Sequence, residues 1–194
     1  MSADDRAEVG VRFGRTVLLT DEGELSRQSV DVLMIAANIR GVMGTGGVRL
    51  AGGVEIEREA MAQAPLTLGT AIFTGPGLLG ERGVQAVAHC VVNEQLGDPV
   101  RTAIVRRSIP SALRVIEERR YRSVALPLLG SGNGPGQLPS TLVATTIVEE
   151  IVAHLRRASS RIERITLVSR SAEDIRILDE IFRVARDDAW GLPQ

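Results

Sequence analysis

Lysine is missing from this 194-residue chain, so all 23 basic side chains are arginine. That absence excludes a Schiff-base or lysine-nucleophile enzyme, and it excludes a P-loop, whose phosphate contacts need Gly-Lys-[Ser/Thr]. Cys90 is the single cysteine and there are two histidines, so no internal disulfide framework can form and no metal site is expected. Aromatic residues make up only 3%, which leaves few platforms for stacking the bases of single-stranded nucleic acid. A formal net charge of -1 gives no reason to expect a nucleic-acid or anionic-membrane partner. No apolar run approaches the roughly 20 residues of a membrane span. Met1 to Gly10 is charged and has no apolar centre, so it does not read as a signal peptide and cytoplasmic residence is expected. An anionic ligand would have to be held by local donors rather than by the general charge of the molecule.

Hydrophobic residues make up 44% of the chain, enough for one sizeable core built from Val, Ile, Leu and Ala. No linker-like stretch divides residues 1–194, so a single domain is expected, with its core at about 11–185. Short β-rich runs alternate with helical patterns. Strands are expected at Val11 to Leu19, Val30 to Ala36, Gly69 to Thr74, Val84 to Val92, Ser123 to Leu129 and Ile162 to Ser169. The almost continuously apolar runs among them suit strands covered on both faces. Helical periods fill Glu55 to Ala62, Asp98 to Arg120, Leu138 to Arg157 and Ser171 to about Arg186. Pro110 is expected to restart the second of these helices rather than sit in its middle, and Ser171 with Asp174 forms a capping pattern. The class is α/β, a three-layer α/β/α sandwich on a mixed, mostly parallel sheet.

Loops at the carboxyl ends of parallel strands are where such sheets bind ligands, and two of them are rich in glycine. Gly41, Gly44, Gly46 and Gly47 follow the second strand, and Gly130-Ser131-Gly132-Asn133-Gly134-Pro135-Gly136 follows Leu129. Glycine lets backbone approach a ligand closely, and successive N–H groups can cradle an anion. Two such loops could hold a diphosphate from both sides without any lysine.

The same segments resemble a known family. Val30-Asp31-Val32-Leu33-Met34-Ile35-Ala36-Ala37-Asn38 is similar to the macrodomain strand V-D-A-I-V-N-A-A-N, and Gly23-Glu24-Leu25-Ser26 stands in register with that family's G-D-I-T turn. Ala51-Gly52-Gly53 with Glu55 to Ala60, Gly69-Thr70-Ala71, and Val87-Ala88-His89 resemble further macrodomain segments. Ser123 to Gly132 looks like S-V-A-F-P-A-L-G-T-G, the strand that enters the second phosphate loop. The resemblance runs in one consistent order over residues 11 to 185.

It implies binding of ADP-ribose or a related nucleotide, with no cofactor. Glu24 would accept the adenine amino group, and Leu25 would offer its backbone N–H to the ring. Asn38 would contact the distal ribose. Gly46, Gly47 and Val48 would form the first phosphate loop, and Gly130, Ser131, Gly132, Asn133 and Gly134 the second. The alternative, less favoured reading of Glu24 is an exposed turn acid, and that of Asn38 a loop-capping side chain. The chain also departs from the family pattern. Ile35 replaces the first Asn, the first loop is about one helical turn short, Arg49 stands where many hydrolases carry an acid, and Pro135-Gly136-Gln137 replaces an aromatic. Binding is therefore the leading expectation, and catalytic residues are not assigned. A hydrolase acting on ADP-ribosyl substrates is one alternative. A decayed pocket serving as a protein-interaction or oligomerising module is another.

Three other signals point to structure rather than chemistry. Gly75 to Gly80 matches G-x-G-x-x-G but leads straight into another strand, where a dinucleotide fingerprint must open a helix. His89 and Cys90 are strand neighbours on opposite faces and cannot form a dyad. Glu55 and Glu59 share a helical face, with Glu57 turned away from them, and a solvated face is the expectation.

Overall fold

The computed structural model describes residues 10–43, 46–95, 97–131, 138–157 and 160–186. They form a seven-stranded sheet of β1 (Val11–Phe13), β2 (Thr16–Glu22), β3 (Val32–Asn38), β4 (Ala71–Thr74), β5 (Ala86–Asn93), β6 (Ser123–Pro127) and β7 (Arg164–Ser169). The strand order is β1-β2-β7-β6-β3-β5-β4. The five inner strands run parallel and the two edge strands antiparallel. The helices are α1 (Gly47–Gly52), α2 (Val54–Ala62), α3 (Thr102–Glu118), α4 (Ser140–Arg157) and α5 (Ala172–Arg186).

Strand alternation sorts the apolar side chains into two layers. Val32 and Met34, Val124 and Leu126, and Ile165 and Leu167 join the core under α3, α4 and α5. Leu33, Ile35, Ala125 and Val168 face the opposite way, toward Val48 of α1 and Ile56 of α2. Both faces of the sheet are thus covered, as the continuous apolar runs require.

Two local expectations are corrected. The Val11 to Leu19 run is not one strand but a hairpin, turned at Gly14, whose φ of 58° is the left-handed value favoured at the first central position of a tight turn. Nor does Pro110 restart a helix, for α3 runs through it from Thr102 to Glu118. The missing N–H and ring clash cost about 3 kcal/mol. Ile109, Leu113 and Ile116 around it are fully or almost fully buried, and each contributes about 1.5–3 kcal/mol, so packing outweighs the break. The Gly75 to Gly80 run enters a short 3-10 helix, Gly77–Arg82, between antiparallel β4 and β5, which rules out a parallel βαβ unit there. The Ser171 cap is half realised. Its hydroxyl accepts from the Asp174 N–H at 3.3 Å, while the Asp174 carboxylate takes the Ser169 hydroxyl instead of reaching back.

Asp31, just before β3, ties the sheet together from its amino-terminal edge. Its carboxylate accepts from the backbone N–H groups of Arg122 and Ser123 at 2.7 and 2.9 Å and from the Gln85 side chain at 2.6 Å. Burial works to raise its pKa, but these hydrogen bonds outweigh it and hold the carboxyl below its ordinary value of 3.8. Asp31→Ala would orphan two backbone donors and is expected to cost about 1–3 kcal/mol in a urea titration. An unchanged midpoint would show that water replaces the carboxylate fully.

Candidate functional site

The strands β2, β7, β6 and β3 lie side by side and point the same way, so the segments that follow them line up along one edge of the sheet. The chain crosses from β3 to β5 on one side and returns to β6 on the other. Such a reversal opens a crevice at the carboxyl ends of the strands. A cleft of about 600 Å³ occupies that place. Gly23 to Ser26 after β2 form one wall, Ile35, Ala36 and Pro127 the floor, and Met43 with Gly46 to Arg49 an adjoining wall. Leu128 to Ser131 and Val168 to Ser171, with Asp174, complete it. Ala36 is exposed where its strand neighbours Ile35 and Ala37 are buried, so the floor carries an open, small side chain.

The first loop is shaped by Asn38 and Gly41. A bulge between Ala37 and Asn38 ends the regular pairing of β3 with β5, as bulges often do beside sites. The Asn38 carboxamide oxygen then accepts from the N–H groups of Arg40 and Val42 at 2.9 and 3.0 Å. Gly41 has a φ of 75°, and a Cβ there would lie 2.6 Å from the Ala60 carbonyl, so the loop can press against α2 only with glycine at this point. Asn38 is buried and does not line the cleft; its carboxamide holds the loop that does.

Glycine also sets the second loop. Leu128 and Leu129 are buried anchors, and Gly130 follows with a φ of 101°. A Cβ at Gly130 would stand 2.9 Å from Val100 Cγ1. Leu138 N–H donates to the Gly130 carbonyl at 3.0 Å, which draws the two ends of the loop together at its base. The expected loop residues Gly132, Asn133 and Gly134, the replacement Pro135-Gly136-Gln137, and Gly44 of the first loop lie outside the described residues.

The structure therefore brings Glu24, Leu25, Gly46, Gly47, Val48, Gly130 and Ser131 to one cleft. The Glu24 carboxylate stands beside the first loop: a Cβ on Gly47 would lie 3.2 Å from Ser26 Oγ and 3.6 Å from Glu24 Oε2. Two charged partners were not singled out as site residues from sequence. Arg170 follows β7 and stands 3.8 Å from Glu24 Oε1. Arg49 follows the first loop, and its Nε donates to Glu57 Oε2 at 3.0 Å. Glu57, which lies away from the face shared by Glu55 and Glu59, is drawn inward, with only 13% of its side chain exposed, and its other oxygen accepts from the Met43 N–H at 2.9 Å.

His89 and Cys90 lie away from this cleft and on opposite faces, as their strand positions require. His89 is buried and shares a 2.9 Å hydrogen bond with the Thr74 hydroxyl. Burial pushes its pKa down to about 4 and raises the Cys90 thiol to about 12, against a smaller opposing contribution from Ser108. A thiol so held is no nucleophile at neutral pH. No group of three or more His, Cys, Asp or Glu among the described residues could hold a metal ion, and no helix among them is long and apolar enough to cross a membrane.

A family model described as the Macro domain matches residues 35–147. An uncharacterized protein of Aquifex aeolicus is 37% identical over 134 residues, which is 67% of this chain and 78% of the relative. Among solved structures, the Oceanobacillus iheyensis macrodomain with ADP superposes with a TM-score of 0.79 at 18% identity, covering 93% of this chain and 97% of the other. The Trypanosoma brucei macrodomain in complex with ADP-ribose gives a TM-score of 0.73 at 17% identity, covering 84% and 68%.

Proposed function

The chain belongs to the macrodomain family, and from that premise we propose that it binds ADP-ribose, or a nucleotide sharing its adenosine diphosphate part, in the cleft described above. The observation that carries this reading is that the two glycine-bearing loops, each following a strand beside the switch point, face one another across open space. The cleft volume of about 600 Å³ lies within the range of small-molecule sites. Glu24 accepts the purine amino group, and the Leu25 N–H meets the ring. Backbone N–H groups of Gly46, Gly47 and Val48 on one side and of Gly130 on the other take the diphosphate, while the Ser131 N–H is given to the Leu128 carbonyl at 3.2 Å and ties the base of the second loop, which Gly132, Asn133 and Gly134 continue. Asn38 serves by holding the first loop in shape. The site asks for no cofactor.

Binding is favoured over hydrolysis because the residue after Gly46-Gly47-Val48 is Arg49, a base-less cation already engaged by Glu57. It is favoured over a purely interaction-making module because the described residues leave a cleft of about 600 Å³ between them. Calorimetric titration with ADP-ribose is expected to give saturable binding with a Kd well below millimolar, and no release of ADP-ribose from a modified acidic peptide. Absence of heat at millimolar ligand would defeat the reading, and peptide turnover lost on loop substitution would make the protein a hydrolase.

A further inference from the structure

We infer that Arg49 is a ligand-binding cation of this cleft, oriented by Glu57 so that its Nη edge meets the phosphate charge of the bound nucleotide. The inference rests on the binding reading above and adds to it a side chain that the two glycine loops do not supply.

Three observations carry it. Arg49 lines the cleft on the wall that also holds Gly46, Gly47 and Val48, and its side chain is 39% exposed, so it is neither buried in the core nor free in solvent. Its Nε is held by Glu57 Oε2 at 3.0 Å, whereas Nη1 and Nη2 take no protein acceptor among the described residues. The Glu57 carboxylate is itself fixed, because its second oxygen accepts the Met43 N–H at 2.9 Å at the start of the same loop. One edge of the guanidinium is thus anchored through a carboxylate to the loop backbone, and the donor-rich opposite edge is left for a ligand.

A planar fork held in this way loses little freedom on binding and matches the oxygens of a phosphate. Backbone amides supply direction but no full charge, and the formal charge of the whole chain is -1, so a diphosphate gains most from a cation placed at the cleft itself. The ion pair with Glu57 limits the net charge that Arg49 adds. Selectivity should therefore arise from hydrogen-bond geometry as much as from attraction at a distance.

Arg49→Met keeps an unbranched stem reaching about as far as Nε and removes the charge and the fork; Arg49→Lys keeps the charge and removes the fork. Each is titrated with ADP-ribose and with adenosine at several salt concentrations, after thermal melting has checked the fold. Arg49→Met is expected to weaken ADP-ribose about tenfold or more, to leave adenosine within about twofold, and to flatten the salt dependence. Arg49→Lys should recover only part of the loss. If the parent binds ADP-ribose and Arg49→Met binds it equally well with the same salt dependence, the inference is overturned and the binding reading stands. If the parent binds no ADP-ribose, both fall. The parent alone also decides the matter where a variant fails to fold, since affinity for ADP-ribose that does not weaken with salt would overturn the role of Arg49.

Discussion

Replacing Ala36 with Trp is expected to abolish ADP-ribose binding at concentrations that saturate the parent, a loss of more than about a hundredfold, while the fold survives. Ala36 is the exposed residue on the floor of the cleft, near the end of a strand whose neighbours Ile35 and Ala37 are buried. An indole there takes up space on the cleft floor, at a residue that is already exposed. The ligand loses its seat, while the sheet loses no hydrogen bond, since every residue of β3 offers the same backbone. Calorimetry and a thermal melt on the same sample separate the two effects. Full binding by Ala36→Trp would place the nucleotide elsewhere. A collapse of the melting temperature would mean that the floor is less open than the structure has it.

Acid is expected to destabilise the fold between about pH 6.5 and about pH 4, and His89 is the main cause. Burial lowers the His89 pKa from 6.5 to about 4. In the unfolded chain the imidazole takes a proton as pH falls through 6.5, whereas in the folded protein it stays neutral until about 4. Across that window the unfolded state binds more protons, so stability falls as pH falls, and it is complete only above the unfolded value. At about 1.4 kcal/mol per pKa unit the ceiling is on the order of 3 kcal/mol, a large share of the 5–15 kcal/mol that holds a typical domain together. His154 acts in the same direction. Burial lowers its pKa, Glu117 at 3.7 Å works against that lowering, and Arg157 adds to it. Asp31, whose carboxyl is held below 3.8, contributes stability that is present above that value and lost as pH falls below it. Urea midpoints at about pH 7.5 and about pH 4.5 should therefore differ clearly in the parent and much less in His89→Gln. Equal midpoints in the parent would mean that His89 is protonated in the fold.

How far the sequence foretells this molecule depends on the range over which its signals act. Continuous apolar runs such as Val32 to Ile35 and Val124 to Leu126 announce strands covered on both faces, because burial on two sides leaves no room for a polar alternation. Boundaries are less legible. The second strand, read as Val30 to Ala36, runs instead from Val32 to Asn38, since Val30 is buried but precedes the first paired residue and one irregular pair beyond Ala37 extends the strand to Asn38. The hairpin at Gly14 hides in the first apolar run, where a single glycine is the only mark of the turn.

The cleft shows the same division. Gly47 and Gly130 are legible because each follows a strand at the carboxyl edge of a parallel sheet. The capping role of Asn38 enters the sequence reading only as the alternative to a ribose contact, although its acceptor bonds reach just two and four residues ahead. Arg170 and Glu57 are not legible. Arg170 meets Glu24 only because β7 lies next to β2 in the sheet, and nothing local records that order. The rule that residues just after a parallel strand face the site would nevertheless have pointed to Ser169-Arg170-Ser171. Glu57 meets Arg49 across the break between α1 and α2, where Gly53 with a φ of 84° redirects the helix axis. A periodicity that treats the two helices as continuous cannot place that contact.

Everything here depends on main-chain donors from two opposed turns closing on one pair of phosphate groups. A crystal structure of the protein soaked with ADP-ribose tests that most directly. It should show diphosphate oxygens within hydrogen-bond distance of the N–H groups of residues 46–48 and of the second loop from Gly130 onward, with the purine beside Glu24. A nucleotide that touches one turn only, or that lies outside the cleft altogether, would contradict the account.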